Sequence, residues 1–148
     1  MSWTGAAVTV AVGAGVAGSV QVAVMGAFGN RIGTLEALAF TALAGALLAG
    51  VVLLVARRSL GGYADGLAAP RWLWLGAVLS VVVVGGITLA GPRIGTTATV
   101  ALLIAGQLGA AVVIDRFGWF GIERVAVTWP RVAGIALLAA GAFLTLRR

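Results

Sequence analysis

Few side chains in this 148-residue chain can do chemistry. There are four carboxylates (Glu36, Asp65, Asp115 and Glu123), ten basic residues that are all arginine, and the amides Gln21, Asn30 and Gln107. Histidine and cysteine are absent, which removes imidazole bases, thiolate nucleophiles, disulfides and most zinc or haem ligand sets. No phosphate loop, metal-ligand spacing or nucleophile–base set is written in the sequence. An enzyme is not expected, and neither is a cofactor or a bound metal. What remains are polar groups set in strongly apolar surroundings, where an ionisable or amide side chain is costly unless paired and so marks a functional candidate.

Three such groups stand out. Gln107 sits near the middle of one apolar stretch with Gly106 beside it, and Gln21 is deep in another. Glu36 is one turn into a third. Gln107 serves either as a hydrogen-bonding link between helices or as a contact for a solute, since an amide both donates and accepts. Glu36 either couples protons or complements the positive end of its helix dipole, within reach of Arg31 or Arg93.

The surroundings define the class. The chain is 61% hydrophobic and 9% charged, with a mean hydropathy of +1.14, against ~45–50% and about 25% in soluble domains. A water-soluble core of this size could not hide that much apolar surface. A soluble enzyme, a disordered chain and a nucleic-acid-binding protein are excluded despite a pI near 11.8. The net charge of +6 is dispersed at the ends of apolar stretches, which suits anionic lipid headgroups.

A membrane helix needs about 20 mainly apolar residues to cross a ~30 Å hydrocarbon core. Charged and turn residues cut the chain into five such spans, at about 5–29, 34–56, 72–91, 94–114 and 131–146. The expected fold is therefore all-α, a single transmembrane domain covering 1–148. Residues 57–71 and 115–130 read as polar loops. Trp3, Trp72, Trp74, Trp119 and Trp129 all fall at or just outside span ends, as interfacial belts require. The residues before the first span carry no positive charge, and that span is too long for a signal-peptide core.

Five spans put the termini on opposite faces. The N-terminal face would hold Arg57, Arg58, Arg71, Arg116, Arg124 and Arg131, and the other face Arg31, Arg93, Arg147 and Arg148. Six against four places the N-terminus in the cytoplasm by the positive-inside rule, yet so small a bias is also compatible with insertion in both orientations.

Gly29-Asn30-Arg31-Ile32-Gly33-Thr34 recurs as Gly91-Pro92-Arg93-Ile94-Gly95-Thr96. Each copy joins one apolar span to the next, and two spans separate them, so both turns share a face. Glycine and proline stop helices, arginine anchors at the interface, and threonine would cap the following helix. The sharper alternative makes Arg31 and Arg93 guards of a pathway mouth. The first span also carries Ala7, Ala11, Gly15, Ser19, Ala23 and Ala27 at intervals of four, and the second carries Ala42, Ala46 and Gly50. Such rows let helix backbones approach closely in lipid, so Gly15 and Ser19 are expected at the centre of the bundle or at a dimer interface. Arg93 and Asp115 are expected as interfacial anchors.

At Asn30-Arg31-Ile32-Gly33, Gly106-Gln107 and Asp115-Arg116-Phe117-Gly118-Trp119-Phe120-Gly121 the chain resembles the YdcZ-like family of bacterial inner-membrane proteins, a branch of the drug/metabolite transporter superfamily. The resemblance implies a five-helix half-unit that pairs antiparallel with itself or with a homologous chain, making a ten-helix, inverted-topology dimer. It carries over Asn30, Arg31, Gly106, Gln107 and Asp115; the glutamine expected shortly before the asparagine turn is absent, Gly26 standing in its place. The function expected is half of a secondary transporter for an unidentified small solute, in the inner membrane. The alternatives are a non-transporting membrane subunit or assembly factor, and a lipid-handling protein.

Overall fold

The computed structural model describes residues 3–146; Arg147, Arg148 and the Trp3 side chain lie outside the described residues. Every regular element among them is helical: α1 (Trp3–Ile32), α2 (Thr34–Arg57), α3 (Gly61–Ala68), a 3-10 turn (Arg71–Trp74), α4 (Leu75–Ile94), α5 (Thr96–Phe117), a second 3-10 turn (Trp119–Gly121) and α6 (Trp129–Thr145). Helix is what lipid demands, because backbone N–H and C=O groups find no partner there outside their own segment. Among the described residues four stretches are long and apolar enough to cross a membrane: Thr4–Ile32, Thr34–Arg57, Arg71–Ile94 and Thr96–Phe117. α6 is a shorter apolar helix of 17 residues, about 25 Å long at the usual rise.

The turns between long helices are tighter than their composition suggests. Asn30 and Arg31 remain inside α1, and Pro92 and Arg93 inside α4. Each turn is then one glycine, Gly33 with φ 102° and ψ 150° and Gly95 with φ 83° and ψ 158°. That backbone region is essentially closed to residues with a Cβ. Threonine does not cap the next helix as expected. The glycine occupies the cap position without a side-chain hydrogen bond, and Thr34 and Thr96 become first-turn residues. The turn is held by backbone alone: Gly33 N–H donates to the Gly29 carbonyl at 3.0 Å, and Ala37 N–H to that of Gly33 at 3.0 Å.

The chain forms two compact units, one of Val24–Pro92 and one of the residues up to Ala23 with those from Arg93 onward. In the Val24–Pro92 unit, close approach rests on small residues. A Cβ on Gly29 would stand 2.6 Å from Thr88 Cγ2, and one on Gly26 would stand 3.3 Å from Pro92 Cδ. Phe28 meets Phe40 edge-on at 5.6 Å, and Thr41 donates to Met25 Sδ at 3.2 Å. The stretch 57–71 is not simply a loop. It holds α3, whose Tyr63 hydroxyl donates to the Ala46 carbonyl at 2.9 Å, directly over Gly50. The small-residue row of α2 thus receives a tyrosine, since Gly50 leaves the Ala46 carbonyl reachable from the side.

In the other unit α5 packs along α6. Gly118, with φ 66°, ends α5 in the left-handed conformation and donates to the Ile114 carbonyl at 2.8 Å. The chain then folds back, Val125 N–H donating to the Asp115 carbonyl at 3.0 Å. Phe117 stacks on Trp119 with ring centres 5.6 Å apart.

Candidate functional site

The polar candidates are held by different parts of the molecule. Asn30 and Arg31 lie in the last turn of α1 and Glu36 in the first turn of α2, so all three surround the Gly33 turn. All three are exposed. The Glu36 carboxylate folds back over Gly33, where it occupies the space a Cβ would need. Among the described residues Glu36 makes no ion pair with Arg31. It stands three residues past the glycine cap, where a carboxylate faces the unsatisfied N–H groups of the helix start. Its placement is that of a helix-terminus carboxylate.

Gln107, Gly106, Gln21, Ser19, Gly15, Arg93 and Asp115 belong to the other unit. There α5 and α6, with Ser19 of α1, line an open cleft of about 520 Å³. Ser19, Thr96 and Thr97 supply its hydroxyls, and Ile104, Leu137 and Leu138 are among its apolar lining. No lining side chain is ionisable. The Ser19 hydroxyl donates to the Gly15 carbonyl at 3.2 Å, the common way for serine to satisfy itself in an apolar helix. Gln107 does not line the cleft. It lies three residues beyond Ile104 and seven beyond Val100, spacings that share a helix face, and it is exposed. A side chain at Gly106 or Gly109 would meet nothing within 4 Å, so the positions on either side of the amide are open among the described residues. Gln21 follows Ser19 by two positions, and positions two apart do not share a helix face.

Asp115 has a structural partner that sequence reasoning missed. Arg131 Nη2 donates to its Oδ2 at 2.6 Å, tying the end of α5 to the start of α6. Opposite charges at the two ends of one inter-helix connection were the available signal. The cleft had no comparable signal, because its lining joins α5 and α6 to Ser19 of α1, far earlier in the sequence.

Residues 6–144 match the family described as "Putative inner membrane exporter, YdcZ". The chain belongs to this family. The match runs through all six helices, so the asparagine turn, the Gly106-Gln107 pair and the Asp115 segment all fall within it. It makes the chain a multi-pass inner-membrane protein of a family described as exporters, that is, as transporters. No curated protein and no solved structure matches this chain.

Proposed function

We propose that this chain is half of a secondary exporter: α6 serves as a fifth span, and two halves assemble antiparallel around a pathway for a small solute. The observation that carries this is the surface of α1. Val8, Val12, Val16, Val20 and Val24 form an exposed ridge, running beside the row of small residues from Ala7 to Ala27. A side chain at Gly13 or Gly15 would meet nothing within 4 Å. A ridge flanking a groove at four-residue spacing is what two membrane helices need in order to interlock. An odd number of spans and a six-to-four arginine split favour partners of opposite orientation, as in transporters built from inverted repeats. The sequence holds no nucleotide-binding motif, so the energy would come from an ion or solute gradient. Gln107 would meet the solute, while Asn30 and Arg31 would stand at one mouth.

The small-residue row is centred on residue 17, so antiparallel α1 pairing sets Ala7 against Ala27 of the other half. The chain has no cysteine, and introduced ones therefore report only themselves. Ala7→Cys chains co-expressed with Ala27→Cys chains should crosslink to each other, and neither should crosslink to itself. Self-crosslinking at Ala7 would mean parallel pairing and would overturn the assembly. C-terminal reporter fusions should appear on both sides of the membrane. A single orientation would make the partner a homologous half in place of a second copy.

A further inference from the structure

We propose that the cleft between α1, α5 and α6 binds an uncharged amphiphile, its hydrogen-bonding end at Thr96 and Thr97 and its apolar body along Ile104 and Leu137. The transport consequence rests on the exporter role above; the binding itself does not. Three features of the cleft select this chemistry. Its lining contains no ionisable side chain, so a cation or an anion entering from water would lose its hydration with no countercharge to replace it. Its volume of about 520 Å³ lies inside the range of small-molecule sites. Its polarity is also ordered along the helices. Thr96 and Thr97 begin α5, and Ile104 lies eight residues further on, about 12 Å at the helical rise. On α6, which ends at Thr145, Gly141 and Ala142 sit at the C-terminal end of the lining and Leu137 and Leu138 at its other end.

The hydroxyls differ in what they can offer. Thr99, in the same turn, spends its donor on the Gly95 carbonyl at 2.8 Å, and Ser19 spends its own on Gly15. Thr96 and Thr97 make no side-chain hydrogen bond within the described chain, leaving both able to donate and accept. An alcohol, ester or amide end-group matches that pair. Such an amphiphile reaches the cleft either from the bilayer, as a diacylglycerol-like lipid, or from water, as a short-chain alcohol or ester.

The test uses the full chain in nanodiscs of phosphatidylcholine with a diazirine-bearing eight-carbon alcohol as the photolabel. Saturable labelling of peptides containing Ile104 and Leu137 is expected, blocked by 1-octanol and unaffected by octyltrimethylammonium. Competition by dioleoylglycerol assigns the site to a bilayer lipid, and its failure to compete assigns it to a water-borne solute. Gly141→Leu, at a lining position where a Cβ meets nothing within 4 Å, should abolish the labelling by filling the cleft. Thr96→Val with Thr97→Val keeps the shape and should weaken labelling about tenfold, the loss of two modest hydrogen bonds; this pair decides the matter if Gly141→Leu does not fold. Labelling spread evenly over all helices, equal competition by the quaternary ammonium, or no labelling because a second copy covers the cleft would each overturn the proposal. Saturable labelling without export in cells would refute the exporter role and leave the site standing, whereas export without it would do the reverse.

Discussion

The Gly33 and Gly95 turns are written in almost the same six residues and adopt almost the same backbone, yet their next residues diverge. After Gly33 come Thr34, Leu35 and Glu36, and the carboxylate lies back over the glycine. After Gly95 come Thr96, Thr97 and Ala98. Ala98 is 1% exposed, and the two threonines line the cleft. One backbone device therefore carries two surroundings: an exposed carboxylate at the third helical position of one turn, and a buried alanine at the same position of the other. The shared residues build the reversal, and the unshared ones decide what the turn can meet. An acid at the third helical position is useful where it can remain in contact with water and harmful where the position is buried.

Exchanging the third residue gives the largest effect expected. Ala98→Glu forces a carboxylate into a buried site, at a cost of several kcal/mol unless it is neutralised. Little folded protein should be recovered by size-exclusion in detergent. Wild-type yield and melting temperature would show that the two turns are interchangeable after all.

The glycines themselves come next. Gly33→Ala and Gly95→Ala both impose a backbone conformation that costs a residue with a Cβ about 1–3 kcal/mol, and each should lower the melting temperature in detergent. At Gly33 the new methyl also collides with the Glu36 carboxylate. Adding Glu36→Ala should therefore recover part of the loss from Gly33→Ala and none of the loss from Gly95→Ala. Equal recovery at both sites would mean that the carboxylate does not act locally.

The class was legible because composition and span length are decided by the bilayer, which leaves a chain little choice. The position of the two reversals was legible as well, from a motif that stands out against apolar sequence. Their tightness was not. Asn30 and Pro92 read as helix stops and Arg31 and Arg93 as anchors beyond them, but each helix continues through these residues until a glycine turns the chain within one residue. Tyr63 escaped notice because its partner is a backbone carbonyl, which no side-chain pattern announces. Asp115 was expected as an interfacial anchor, while its pairing with Arg131 depends on how the connecting segment folds back.

Glu36→Gln gives the smallest effect and bears most directly on function. A carboxylate at a helix start contributes roughly 0.3–1 kcal/mol through the dipole, and the amide keeps the shape while removing the charge. Stability in detergent should fall by no more than that, and the difference should shrink in high salt because exposed charges are screened. If Glu36 serves only the turn, the rate of export and its pH dependence should match the wild type. Gln107→Leu should instead abolish export at unchanged yield, since it removes the amide proposed to meet the solute. A proton-coupling carboxylate predicts the opposite pattern, with little change in stability and a flattened pH profile for Glu36→Gln. The Gly95 turn supplies the control, because Ala98 and not a carboxylate stands at its third position. If export by the Glu36→Gln protein loses its pH dependence, the first turn is part of the transport machinery, and its difference from the second is functional as well as structural.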